Sequence, residues 1–303
     1  MKRILVPLDG SALADRAIPF AAALAARASG TLLLLRAVNT YTAPTEAAGL
    51  ALQREAQAAL EAKAATLRAD GLTVSTRVVD RQAESAILEA TADLDVDLIV
   101  MSTHGRGGLG RFVYGSVADT VLRHAPVPVL TVPPHGLERW PSDGRVEILV
   151  PLDGSDLSQA ALDSACELAD VLGGSLLLAS VVTFPSYAAY ADGYVFADPE
   201  VTESVVTDTR RYLESVADQL RTPTRPVSVC ATYGTPFFGI TNVARDRGVG
   251  MIVMATHGRS GMTRALLGSV ATATLRQTDV PVVLVRPEAA APAAEPAVPV
   301  AQP

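Results

Sequence analysis

Lysine is scarce in this chain: Lys2 and Lys63 are the only two, and the 25 basic side chains are outnumbered by 32 acidic ones, for a formal net charge of −7. Binding a phosphodiester backbone calls for a basic surface, so a nucleic-acid partner is disfavoured. Cysteine is as rare. Cys166 and Cys230 stand apart in CELAD and VSVCAT without a CxxC, and read as buried, inert thiols. The four histidines, His104, His124, His135 and His257, are too dispersed for an HExxH or zinc-finger spacing, so no zinc site is expected. Long apolar runs are missing too. The mean hydropathy of +0.27 comes largely from alanine, and a stretch such as 18–38 is broken by Arg27 and Arg36 before the roughly twenty apolar residues of a membrane span accumulate. The opening MKRILVPLDG has a basic pair but too few apolar residues before Asp9 for a secretory core, so the expected location is cytoplasmic.

What the chain does have is a globular composition, 49% hydrophobic and 19% charged over 303 residues, a length that suits about two domains. One unit is written twice. The octapeptide ILVPLDGS occurs at 4–11 and again at 148–155, an offset of 144, while VMSTHGRGGLGRFVYGSV at 100–117 matches VMATHGRSGMTRALLGSV at 253–270 with an offset of 153. The second copy has therefore gained nine residues, placed in the aromatic, turn-rich FPSYAAYADGYVFADPE at 184–200. Residues 133–147 have the Pro, Gly and Asp punctuation of a linker, with Trp140 inside it. The units are assigned to 1–137 and 145–287, and the Pro/Ala tail 288–303 is expected to be disordered.

Within each copy, short β-rich apolar runs alternate with helical periodicity. Strands are predicted at 2–8, 31–38, 72–79, 97–102 and 127–132, with helices over 12–29, 45–70, 83–94 and 116–124, and the second copy repeats the order. Runs such as ILVPL and the LIVM of DLIVMS are continuously apolar, as parallel strands covered on both faces are. The fold class is α/β: two tandem, doubly wound, five-stranded parallel sheets of Rossmann-like type.

Open α/β sheets bind ligands beyond the carboxyl ends of their strands, so the segments leaving the first and fourth strands matter most. After the fourth strand come Gly105, Arg106, Gly108 and Arg111, then Gly115-Ser116 opening a helix; the second copy has Gly258, Arg259, Gly261, Arg264 and Gly268-Ser269. Small residues let backbone approach an anion, and a helix N-terminus favours phosphate, which together describe a polyphosphate cradle. Alternatively these glycines shape a turn, the serines cap the helix and the arginines are solvated. The GxGxxG from Gly105 to Gly110 follows the fourth strand, whereas a dinucleotide fingerprint follows the first, and Walker A is absent. At the end of the first strand, Asp9 and Asp153 suit the base or ribose end of a nucleotide, or else they or the following serine cap a helix. His104 and His257 lack a motif-level Ser or Asp partner, so no catalytic residue is assigned.

These residues resemble the universal stress protein family in its tandem form, over about 1–133 and 145–287. Its ATP-binding members carry G-x2-G-x9-G-[ST] after the fourth strand, an Asp ending the first strand and a hydrophobic residue ending the second. Gly105, Gly115, Ser116, Asp9 and Val38 match by position in one copy, and Gly258, Gly268, Ser269, Asp153 and Val182 in the other; the first motif glycine is instead Ser102 or Ala255. The resemblance implies an adenine-nucleotide alpha hydrolase-like fold binding ATP and Mg2+, at most slow hydrolysis, and a regulatory part in stress survival or growth arrest. It also implies pairing of the two domains within the chain and a homodimer through last-strand edges, here 127–132 and 280–285. The competing readings are an interaction module that binds no nucleotide and an ATP-cleaving enzyme on a related sheet; the SGGxDS-type loop expected of the latter is not supplied by VPLDGS.

Overall fold

The computed structural model describes residues 1–102, 115–133, 145–183, 199–258 and 267–287. Trp140, the tail 288–303, most of 184–200 and, in the glycine-rich loops, His104, Gly105, Arg106, Gly108, Arg111, Arg259, Gly261 and Arg264 lie outside these residues. The first unit runs β1 (Arg3–Pro7), α1 (Ala12–Asp15), α2 (Ala17–Ala28), β2 (Thr31–Val38), a 3-10 turn (Thr40–Thr42), α3 (Glu46–Ala69), β3 (Thr73–Asp80), α4 (Ala83–Asp93), β4 (Leu98–Ser102), α5 (Ser116–His124) and β5 (Val129–Val132). The second runs β6 (Glu147–Pro151), α6 (Asp156–Gln159), α7 (Ala161–Leu172), β7 (Ser175–Val182), α8 (Pro199–Leu220), β8 (Val227–Tyr233), α9 (Pro236–Arg247), β9 (Met251–Ala255), α10 (Ser269–Gln277) and β10 (Val282–Val285).

The apolar strands behave as their composition demands. Ile4, Leu5 and Val6 of β1 are all buried, because β1 pairs in parallel with β2 and β4 and has helices on both faces. Phe20, Leu24, Leu60 and Ala64 cover one face together with α7 and α8, and α4, α5, α9 and α10 cover the other. The strand order in each unit places the first strand beside the fourth, so the order reverses between β1 and β4 and again between β6 and β9. Such switch points leave a crevice at the carboxyl ends of the strands.

Two features differ from the sequence expectation. The helix predicted over 12–29 is broken at Arg16, whose N–H bonds to Leu13 O at 3.3 Å in a tightened i to i+3 turn, and the matching break falls at Ala160. No proline follows Ala160 as Pro19 follows Arg16, so the break belongs to the position and not to proline. The second difference is larger. Edges 127–132 and 280–285 pair with each other: β5 and β10 run antiparallel, with Val129 opposite Leu284, Leu130 opposite Val283 and Thr131 opposite Val282. The described strands form one ten-stranded sheet in the order β3-β2-β1-β4-β5-β10-β9-β6-β7-β8. These apolar edges are thereby covered within the chain and are not open to a second copy. The join is reinforced by the buried Thr131 hydroxyl donating to Val282 O at 2.9 Å, and by Arg27 of α2 donating to Leu172 O of α7 at 2.7 Å. Because the join is antiparallel, the carboxyl ends of the two sets of parallel strands point to opposite edges of the sheet.

Candidate functional site

The loop from β6 into α6 is set by its own side chains. Asp153 Oδ1 accepts from Ser155 N at 3.0 Å and Ser155 Oγ at 2.6 Å, closing an Asx turn, and Ser155 Oγ accepts from Ser158 N at 3.2 Å as the helix cap. The first unit repeats this with Asp9 Oδ1 accepting from Ser11 N at 2.8 Å and Ser11 Oγ from Ala14 N at 3.1 Å. The capping role left open between Asp and Ser thus falls to the serine. The aspartate is directed across the crevice: a β-carbon on Gly258 would lie 2.3 Å from Asp153 Oδ2, so only glycine lets the loop after β9 pass so close to the carboxylate.

The start of α10 is equally constrained. Gly268 N donates to Thr256 O at 2.8 Å, and a β-carbon on Gly268 would meet that same oxygen at 2.8 Å. Glycine as N-cap supplies no side-chain acceptor, which leaves the first N–H groups of the helix for a ligand. Beside them His257 bonds through Nδ1 to the Thr256 hydroxyl at 3.0 Å, while its Nε2 is buried with no hydrogen-bond partner among the described residues. An orphaned buried nitrogen of this kind is a place a ligand can satisfy.

These elements enclose a cavity of about 780 Å3, within the range of small-molecule sites. Asp153, Val182, Gly258, Gly268 and Ser269 all line it, with Ala255 at the end of β9 and with Pro236 and Ile240 from α9. The sequence places these residues up to 116 positions apart, and the reversal of strand order between β6 and β9 brings them to one crevice.

The model of the universal stress protein family matches residues 1–133 and, a second time, residues 146–286. The chain belongs to that family. It is 29% identical to a universal stress protein of Mycolicibacterium smegmatis over 297 residues, covering 94% of this chain and 97% of the relative. A universal stress protein of Mycobacterium tuberculosis is 28% identical over 300 residues, 93% of this chain and 96% of the relative. In three dimensions the chain is similar to the crystal structure of a universal stress protein from Archaeoglobus fulgidus, with a TM-score of 0.70 at 18% identity, over 94% of this chain and 98% of that one. At that identity the likeness speaks for the fold.

In this universal stress protein the first crevice is built from the same elements, with Asp9 after β1, Val38 ending β2, Ser102 ending β4 and Gly115-Ser116 opening α5. Neither Ser102 nor Ala255 adopts a positive φ. Each ends a regular strand, so the backbone there does not require the glycine of the family motif. The wall beyond Val38 differs from its counterpart. Asp80 accepts from Thr40 N at 2.9 Å and from the Thr40 hydroxyl, clasping the 3-10 turn, where the second copy has the exposed Tyr233. The Thr40 hydroxyl and then its N–H hold the Asp80 carboxyl below its ordinary value, so the clasp is formed at neutral pH and is lost as pH falls through that lowered value.

Ser180 of β7 and Asp208, Thr209 and Tyr212 of α8 also line the second cavity and were not singled out from the sequence. Two weak signals pointed to them. Ser180 precedes Val182 by two on the same strand face, and Thr209 and Tyr212 are three apart on one helix face.

Proposed function

We propose that this universal stress protein binds ATP with magnesium in both crevices and acts as a regulatory protein in stress response or growth arrest, without being an enzyme. The observation that carries this reading is the convergence of Asp153, Val182, Gly258, Gly268 and Ser269 on one cavity at the open N-terminus of α10. The phosphates would lie on the N–H groups of Ser269, Val270 and Ala271 and against Gly258, where helix dipole and close backbone approach favour an anion. Arg259 and Gly261 complete that loop in the sequence, as Gly105, Arg106, Gly108, Gly115 and Ser116 do in the first copy. Asp153 and Asp9 suit the ribose or base, since a carboxylate would repel phosphate, and Val182 and Val38 an apolar ring. Magnesium would be held chiefly through the phosphates, as is usual for this ion.

No catalytic residue is assigned. Among the described residues the His257 ring is engaged by a neighbouring threonine and not by a carboxylate that would orient it as a general base. A change of nucleotide occupancy then acts through altered interactions of the protein, in the cytoplasm. A homodimer is part of the proposal, and with β5 and β10 consumed by the internal join its strand-pairing edges would be β3 and β8.

Chromatography of the supernatant after denaturing freshly purified protein is expected to show close to two ATP per chain. Protein freed of nucleotide is expected to gain about 2.7 kcal/mol for each of its two sites when Mg-ATP reaches a hundred times the Kd. A chain that releases no nucleotide and shows no thermal shift with Mg-ATP would be an interaction module that binds none, and the proposal would fall.

A further inference from the structure

The outer edges of the ten-stranded sheet are β3 and β8, and they do not present the same surface. Hydrogen bonds from Leu176 N to Pro226 O and from Gly234 N to Val182 O, both at 2.9 Å, fix which groups turn inward to β7. Residues of even number in β8 face β7, so Val229 and Ala231 point their N–H and C=O outward along the edge. Nothing among the described residues bonds to these groups. Val227 O faces the same way but is taken by Arg221 Nε at 3.1 Å.

The edge at β3 is guarded more fully. The matching Arg68 holds Val74 O at 3.0 Å. Thr76, which matches Val229 at the offset of 153, is tied by its hydroxyl to Glu61 and accepts from Gln57 Nε2 at 3.1 Å. Arg77 and Asp80 add charge to the strand, a usual protection of an edge. By contrast β8 reads VSVCATY, without a charged side chain. At its end Tyr233 is 66% exposed and Phe238 53% exposed, with the Phe237 and Phe238 rings 4.0 Å apart. The first unit has Asp80, Glu84 and Ser85 in these three places.

Neutral backbone groups left open on an edge are a template for another strand, and exposed aromatic side chains belong to contact surfaces. Two identical edges meet about a two-fold axis normal to the sheet, which makes the strands antiparallel. Centring that axis on the seven residues of β8 gives the longest overlap, with Val229 opposite Ala231 of the other copy and Cys230 opposite itself. Each pair of Val229 with Ala231 then exchanges both of its hydrogen bonds. Cys230, whose own N–H and C=O turn to β7, forms a non-hydrogen-bonded pair with its copy. Its two Cα atoms would lie about 4.5 Å apart, within the span of a disulfide. The same arrangement brings Tyr233 and Phe238 of one copy toward the exposed Pro223 and Pro226 that precede β8 in the other. Rings there meet apolar prolines and no like charge. We propose that β8 is the surface by which two copies of this chain associate, joined edge to edge across an axis at Cys230. This rests on the homodimer reading and decides between its two edges.

The test reads the mass of the full chain by light scattering after size-exclusion chromatography, beside its thermal melt. The unaltered chain is expected at twice its own mass. Ala231→Pro removes an outward N–H without touching the β7 ladder and is expected to give single chains, whereas Val78→Pro, at the matching place of β3, is expected to leave the pair intact. Cys230→Lys sets like charges opposite each other and is expected to separate the copies, while Cys230→Ser keeps them together; these two decide where a proline variant does not fold. In a Cys166→Ser chain, copper phenanthroline, which takes two electrons and two protons from a pair of thiols, is expected to link the copies through Cys230. If the pair survives both Ala231→Pro and Cys230→Lys, or if only Val78→Pro separates it, β8 is the wrong edge while the homodimer reading stands. A pair that those β8 variants separate but that forms no disulfide would overturn the axis at Cys230. If the unaltered chain is single, the homodimer reading and the β8 assignment fall together.

Discussion

Replacing Gly115 with glutamate is expected to halve the nucleotide released on denaturation, from about two equivalents per chain to about one, while the protein stays folded. A β-carbon at Gly115 meets no described atom within 4 Å, and a carboxylate at the start of α5 is compatible with the helix dipole. Its effect falls on the ligand. A fixed negative charge where phosphate would lie repels it by several kcal/mol, a loss of about a hundredfold or more in affinity. Gly268→Glu is expected to remove the other equivalent, and the double change both. In the second unit a packing cost adds to the charge, because the β-carbon already meets Thr256 O at 2.8 Å. Gly268→Ala separates the two contributions: it carries the steric cost, of about 1–3 kcal/mol by analogy with overpacked cores, without the charge. Titration of nucleotide-free protein with Mg-ATP, run beside thermal melting, reads both quantities. Two equivalents retained in the folded double variant would remove the cradles from the account.

Val283→Asp is expected to be the most damaging single change in the described chain. Val283 is 0% exposed in the middle of β10, opposite Leu130 of β5, with Val253 of β9 on its other side. A carboxylate there has neither water nor a cation, and the cost, about 4 kcal/mol or more, approaches the whole stability of an ordinary domain. Val283→Ala, which removes two methyl groups without introducing charge, is expected to cost about 2 kcal/mol. The unaltered chain is expected to unfold in urea as one cooperative transition, since one face of the sheet carries a single core running from Ile4 to Val285 across both units. Circular dichroism during urea denaturation distinguishes the outcomes. A Val283→Asp chain within about 1 kcal/mol of the unaltered one would mean that β10 is not buried against β5.

Much of the architecture was legible because it follows from local chemistry repeated at two places. Apolar runs such as Ile4–Leu5–Val6 demand cover on both faces, and the alternation with helical periodicity then requires parallel strands joined by crossover helices. Ser11 and Ser155 cap their helices with acceptors only three residues from the donors they bind. That Gly268 and Gly258 belong at one crevice with Asp153 followed from their places after the fourth and first strands, where a doubly wound sheet reverses its order. The break at Arg16 was not legible, because it recurs at Ala160 in a different local sequence and so has no residue signature.

Repetition in the amino-acid order was enough to establish two α/β units and their switch points, because each depends on contacts within a strand, a turn or a strand–helix step. The union of β5 with β10 into one sheet was settled in three dimensions. An apolar edge must be covered, but whether by a second chain, a helix or another edge of the same chain depends on where the two units come to lie. The contrast between Arg36 of β2 and Ser180, at the same place in β7, is likewise a matter of packing. An arginine in a strand is unremarkable by itself, and it is the fold that lays its guanidinium on Gly10, one residue from Asp9, where the second unit turns Ser180 to its cavity.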